Sequence, residues 1–157
     1  MRLQNENTDI DTIDARLLRL LAVDGRISVA ELARAVGLSA PSTAERIRGL
    51  EDAGIITGFV ARIDPARLGR PLAVLIRIRP MPGQLKKVVQ VIEGVAAITA
   101  CDRVTGEDCF VARAHLRSVD ELEAVIDKII PYAMTNTSII QSSPIAPRLP
   151  PLPEGKG

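Results

Sequence analysis

Only three residues, Gly37-Leu38-Ser39, separate two stretches of this chain that each read as a short helix. Upstream, Ser28-Val29-Ala30-Glu31 has the spacing of a capping box, in which hydroxyl and carboxylate each satisfy a free backbone amide at a helix start. Val29, Leu32, Ala33 and Val36 follow as its apolar stripe, and Gly37 supplies a left-handed C-cap. Downstream, Ser39 is placed to cap the next helix, and Pro41 fits its first turn, where no intrahelical N–H is required. Ala40, Ala44, Ile47 and Leu50 are expected to face inward until Gly54 ends that helix. Ahead of both, Ile13, Leu17, Leu20 and Leu21 recur at helical spacing until Gly25-Arg26 breaks the run. Three short helices with so tight a turn between the last two predict a helix-turn-helix.

The pattern changes after Gly54. Ile55 to Ile63 reads as β structure around Gly58, consistent with a small wing and an exit strand, and Asp64-Pro65-Ala66-Arg67-Leu68-Gly69 punctuates it. Next comes a strand over Leu72–Arg79, with Leu72, Val74, Ile76 and Ile78 on one face and Arg77 and Arg79 on the other. A helix follows on Leu85, Val88, Val89 and Ile92, then strands over Ala97–Val104 and Cys109–Leu116. A second capping box, Ser118-Val119-Asp120-Glu121, opens a helix striped by Leu122, Val125, Ile126 and Ile129, and Thr137–Gln141 is the last strand. The order β-α-β-β-α-β predicts a ferredoxin-like layer of helices on one face of an antiparallel sheet, with the open face inviting a second copy. The expected class is therefore α+β: a winged helix-turn-helix over 1–58, a linker over 59–70, a ferredoxin-like domain over 71–146 and a Pro-rich tail over 147–157. The tail reads as extended or disordered, with a docking arm as the alternative.

Composition narrows the function. Phe59, Phe110 and Tyr132 are the only aromatics among 157 residues, too few for a base-stacking platform on single strands or RNA. Two cysteines and one histidine cannot supply the roughly four ligands of a structural zinc site, so no metal or other cofactor is expected. The spacing of Cys101 and Cys109, with Gly106 between them in a turn, allows them to face one another across two strands, and a reducing compartment favours two free buried thiols over a disulfide. No apolar run is long enough for a membrane span. Asn5, Glu6, Asp9 and Asp11 stand where a secretory signal would be basic and then apolar, so a cytoplasmic protein is expected. Residues 1–58 hold seven basic and nine acidic side chains, net −2, against thirteen and ten, net +3, in the rest. Affinity for double-stranded DNA must then come from local placement and from two copies, not from a broad basic surface.

The inward residues of the third helix leave Ser42, Glu45, Arg46 and Gly49 outward, with Arg48 on the flank. Small and hydroxyl residues such as Ser39, Pro41 and Ser42 let a helix end approach phosphates, and an arginine further along can reach a guanine edge. Arg46 is the expected base reader; the plainer alternative is a solvated face of a three-helix bundle.

These segments resemble the leucine-responsive/asparagine regulators, the Lrp/AsnC family. The matching stretches are Ile13-Asp14-Ala15-Arg16-Leu17-Leu18, Asp24-Gly25-Arg26-Ile27-Ser28, Glu31-Leu32-Ala33 and Val36-Gly37-Leu38-Ser39. Glu45-Arg46-Ile47-Arg48, Leu50-Glu51, Ala53-Gly54-Ile55-Ile56, Asp64-Pro65 and Leu68-Gly69 continue them. Gly49 departs from the basic residue often found there. The resemblance implies a non-enzymatic transcription regulator, subunits paired through the sheet, homodimers assembling into octamers, and an amino-acid effector held between dimers. The loop it assigns to the effector is Val104-Thr105-Gly106-Glu107-Asp108-Cys109-Phe110. Glu107 or Asp108 would take an ammonium, Gly106 would leave amides accessible, and Thr137 and Ser138 would help with a carboxylate. Where the family commonly has an aspartate this chain has Cys109: either Asp108 replaces it, or the effector differs, or there is none. Ordinary hairpin chemistry also accounts for Thr105-Gly106-Glu107-Asp108. Two other readings stand beside this one: an architectural, chromatin-like protein without effector, and a tetrapyrrole decarboxylase, a chemistry a few Lrp-like proteins perform.

Overall fold

The computed structural model describes residues 10–152. The ends of the first expected domain (1–9) and of the tail (153–157) lie outside them. The chain forms two compact units, 10–62 with 145–152, and 63–144.

In the first unit, α1 (Thr12–Val23) starts at Asp11, whose carboxylate accepts from the Asp14 amide at 2.8 Å while the Asp14 carboxylate accepts from the Asp11 amide at 3.4 Å. This reciprocal cap, built from two aspartates, stood outside the Ser/Thr-x-x-Glu pattern sought in the sequence. α2 (Val29–Val36) has the expected Ser28/Glu31 box, and Gly37 closes it at φ 74°, with the Gly37 and Leu38 amides both donating to the Ala33 carbonyl. α3 (Ala40–Asp52) is capped by Ser39. The core joining the three is Ala15, Leu17, Leu18, Leu32, Ala33, Thr43 and Leu50. Two expected inward positions are wrong: Val29 is 38% exposed and Ala40 is exposed. Each stands in the first turn of its helix, where the chain has yet to reach the layer of its neighbours. Thr43 takes the buried place instead, its hydroxyl donating to the Ser39 carbonyl at 2.9 Å, which answers the cost of burying a polar group.

The expected wing and exit strand do not form: the described residues 55–63 contain no strand. The amides of Ile55 and Ile56 return to the Leu50 carbonyl at 2.9 and 3.0 Å, closing α3 after Gly54 turns at φ 69°. Without those donors a hairpin ladder cannot begin, and Val60 is left 89% exposed on unpaired chain. β-branched and apolar residues state a preference for strand and burial; they do not supply a partner strand. Pro147 to Leu152 form no helix or strand and, with Arg19, Ala22 and Val23 of α1, line a groove.

The second unit begins with a 3-10 turn over Ala66–Leu68. Its sheet is β1 (Leu72–Pro80), β2 (Ile98–Arg103), β3 (Phe110–Leu116) and β4 (Ala133–Ile139), ordered β2-β3-β1-β4 with all neighbours antiparallel. α4 (Leu85–Glu93) and α5 (Val119–Ile129) complete the ferredoxin-like order, and β4 starts four residues earlier than the sequence pattern suggests. Val74, Ile76 and Ile78 of β1 and Phe110, Ala112, Ala114 and Leu116 of β3 form one buried face, sealed by Val88 and Ile92 of α4 and Val125 and Ile129 of α5. The alternation leaves Leu75, Arg77 and Arg79 on the other face, beside Ser138, Asn136 and Met134 of β4 respectively. Ser118 caps α5 as expected, but Glu121 does not close a box on it. Its carboxylate reaches back to the Arg117 amide at 2.7 Å and also pairs with Arg70 at 3.0 Å. The backbone bond to Arg117, followed by the two arginines, lowers the Glu121 carboxyl to about 2.

Candidate functional site

α3 carries the first group of candidate residues. Pro41, Ser42, Glu45, Arg48 and Gly49 are exposed, so the outward face expected of a recognition helix exists. At its start the Ser39 Oγ accepts from the Ser42 amide at 3.3 Å, and the two hydroxyls lie 2.8 Å apart. The pair orders the first turn and remains at the surface.

Arg46 is placed differently from the expectation. It stands three residues after Thr43 and four before Leu50, both buried, on the flank of α3 that turns toward α1. One guanidinium nitrogen, Nη1, donates to Asp11 at 2.7 Å and to Asp14 at 2.8 Å, and the side chain is 35% exposed. The bonds to Asp14 and then Asp11 raise the guanidinium further above its ordinary value. The Asp14 amide, assisted by Arg46, holds the Asp11 carboxyl below its ordinary value. Arg46 therefore does not extend freely from the recognition face. Its partners lie 32 and 35 residues away, which is why a helical wheel alone placed it outward.

The second group lies at one end of the sheet. The loop between β2 and β3 turns at Gly106 with φ 113°, leaving Thr105, Gly106 and Glu107 exposed and Asp108 half-buried. Arg79 pairs with the Glu107 carboxylate, and Asp108 lies 3.9 Å from the same guanidinium nitrogen. Arg77, Arg79, Asp108, Met134, Thr135 and Asn136 line a recess of about 310 Å³. Asp108 thus joins the recess, and Glu107 touches its edge through Arg79. Ser138 receives a long hydrogen bond from Arg77 at 3.4 Å. Thr137 does not line the recess; its register opposite Ile76 turns it toward the helix-covered face. Thr105 and Gly106 do not line the recess, and Cys109 is held at the start of the inner strand β3, its amide donating to the Ile78 carbonyl at 3.1 Å. Arg77 and Arg79 lie on the open face that the alternation assigns them, and basic residues alternating with the buried Val-Ile-Ile stripe are the sequence signal of the recess.

The cysteines do not oppose one another. Cys101 pairs in register with Ala112, whereas the Cys109 carbonyl accepts from the Val104 amide, so the thiols occupy different rungs; Cys101 is exposed and Cys109 half-buried. Among the described residues no three His, Cys, Asp or Glu side chains are grouped to hold a metal, and no helix is long and apolar enough to cross a membrane. His115 is engaged on the sheet, its Nδ1 3.0 Å from the Thr99 hydroxyl.

A short capped helix pair followed by an open-faced ferredoxin-like sheet defines a two-part architecture, one part to meet DNA and the other to meet a ligand. Comparison with known proteins agrees for both. Residues 10–51 match the AsnC-type helix-turn-helix domain and residues 73–150 the Lrp/AsnC ligand binding domain. The chain is 32% identical over 133 residues to the HTH-type transcriptional regulator LrpC of Bacillus subtilis, covering 85% of this chain and 92% of that protein. It is 34% identical over 132 residues to LrpA of Mycobacterium tuberculosis, covering 83% and 88%. The solved LrpC structure superposes with a TM-score of 0.80 at 32% identity, over 85% of this chain and 95% of that one. The feast or famine regulatory protein of M. tuberculosis, solved in complex with L-methionine, does so with 0.81 at 32% identity, over 89% and 97%. The chain belongs to the Lrp/AsnC family of helix-turn-helix transcription regulators.

Proposed function

We propose that this regulator works as a cytoplasmic homo-oligomer in which two copies of α3 enter successive major grooves of a roughly palindromic site. Ser39, Pro41 and Ser42 would lie against the backbone, and Glu45 and Arg48 on the exposed face would meet base edges or phosphates. The open sheet face, with Leu75, Val111 and Met134 among its residues, suits pairing with a second copy, and assembly to an octamer would follow from further contacts between dimers. The protein acts by binding and linkage, with no covalent step.

The recess at the end of the sheet is the proposed effector site, and its ligand an α-amino acid. One observation carries this: the recess sets Arg77 and Arg79 against Asp108, both signs of charge within one small volume. A guanidinium suits the carboxylate of a zwitterion and Asp108 suits its ammonium, while Met134 offers apolar surface to a side chain. The methionine complex of the relative at 32% identity makes methionine the first ligand to try. A thermal-shift screen of the twenty amino acids tests the reading, because a ligand of the folded state raises Tm. A rise with one or a few of them, lost in Arg79→Gln, supports it; a rise that Arg79→Gln leaves intact places the site elsewhere.

A further inference from the structure

We infer that Arg46 is a positioning residue of the DNA-binding unit: by bridging Asp11 and Asp14 it sets the angle at which α3 presents Ser42, Glu45 and Arg48, and it does not itself read DNA. The inference rests on the proposal that α3 enters the groove, and it changes which residues there do the reading.

The geometry carries the assignment. Asp11 is the N-cap of α1 and Asp14 its third residue, so the two carboxylates are already fixed by the reciprocal cap before Arg46 arrives. Arg46 closes on both from α3, at 2.7 and 2.8 Å, through a single nitrogen. Two charged bonds from one atom define a direction as well as a distance, which a single surface pair does not. On its inner side α3 packs through Thr43 and Leu50, which are buried, and through Ala44 and Ile47, which are half-buried. Apolar contacts of that kind tolerate rolling of one helix on another; a fixed ion triad at the flank resists it. Base readout needs side chains placed to within hydrogen-bond tolerance, so a roll of α3 degrades specific binding more than it degrades phosphate attraction. For Arg46 to reach DNA it would have to leave both carboxylates, giving up the two charged bonds it makes in the free protein.

The test compares the carboxylates with the arginine. Wild type, Asp11→Asn/Asp14→Asn and Arg46→Gln are each assayed on a duplex that the wild-type protein enriches from a random pool, and on a scrambled duplex. The readouts are the specific-to-scrambled affinity ratio and the salt slope. Removing two negative charges raises affinity for any duplex, but the ratio cancels that common term. The expected result is a loss of about tenfold in the ratio for both variants, with the salt slope of Arg46→Gln unchanged. A ratio preserved in the carboxylate variant, with Arg46→Gln losing both ratio and about one unit of slope, would show Arg46 contacting DNA and overturn the inference while leaving α3 as the reader. If Arg46→Gln does not fold, Asp14→Asn alone decides by the same ratio: a fall supports the inference and an unchanged or higher ratio overturns it. No enrichment of any duplex by the wild-type protein would instead sink the DNA-binding proposal itself.

Discussion

Arg46 of α3 donates to Asp14 of α1 across 2.8 Å, linking the exposed helix of the DNA-binding unit to a carboxylate whose side chain is only 14% exposed. The same carboxylate accepts the Asp11 amide, so one side chain serves a helix cap and an interhelical bond at once. Asp14→Ala is therefore expected to destabilise the protein by about 1–2 kcal/mol in urea unfolding, more than the few tenths expected of an exposed ion pair.

The Asp11 carboxyl gives that contact a pH signature. Its folded value is depressed below 3.8, chiefly by the Asp14 amide and then by Arg46. A depressed carboxyl stabilises the fold above its ordinary value, and that contribution is lost as pH falls through the lower folded value. Glu121 behaves alike in the second unit, between 4.5 and about 2. Thermal melting of Glu121→Gln should accordingly lie below wild type at neutral pH and converge with it as pH falls through that window. A constant offset at all pH values would count against the depressed carboxyl.

Arg48 is exposed on α3 and has no carboxylate within bonding distance among the described residues. Arg48→Ala is expected to weaken binding to every duplex, with a salt slope lower by about one, and to leave the unfolding free energy within about 0.5 kcal/mol of wild type. Filter binding at several salt concentrations separates this from the behaviour of Arg46.

In the recess, Arg79 is shared between Glu107 and, at 3.9 Å, Asp108. Glu107 is 85% exposed, so its pair with Arg79 contributes little to stability and competes with an incoming carboxylate for the same guanidinium. Glu107→Gln should tighten effector binding several-fold by calorimetry, whereas Asp108→Ala should abolish it and spare DNA binding in the absence of effector. Weaker binding in Glu107→Gln would assign the ammonium to Glu107.

What the sequence disclosed and what it hid divide along sequence distance. Ser28 with Glu31, Gly37 and Ser39 obey rules that act within one helical turn, and each stands where those rules put it. The β1 stripe of Val74, Ile76 and Ile78 likewise follows from a period of two. The wing failed because Ile55 and Ile56 have the β-branched character of a strand but give their amides to Leu50, a competition that residue type does not encode. Thr43 escaped notice because a hydroxyl counts as outward until its acceptor, the Ser39 carbonyl, is known. Arg46 with Asp11, and Arg79 with Glu107, join residues 35 and 28 positions apart. Only the packed helices and the paired strands bring them together.

The most direct test of the account is the affinity of the intact chain for its enriched duplex relative to scrambled DNA, measured at near-physiological salt. A protein that reads sequence through paired copies of α3 should favour the enriched duplex by about a thousandfold or more. A ratio near one would contradict sequence-specific recognition and leave an architectural, sequence-indifferent protein in its place.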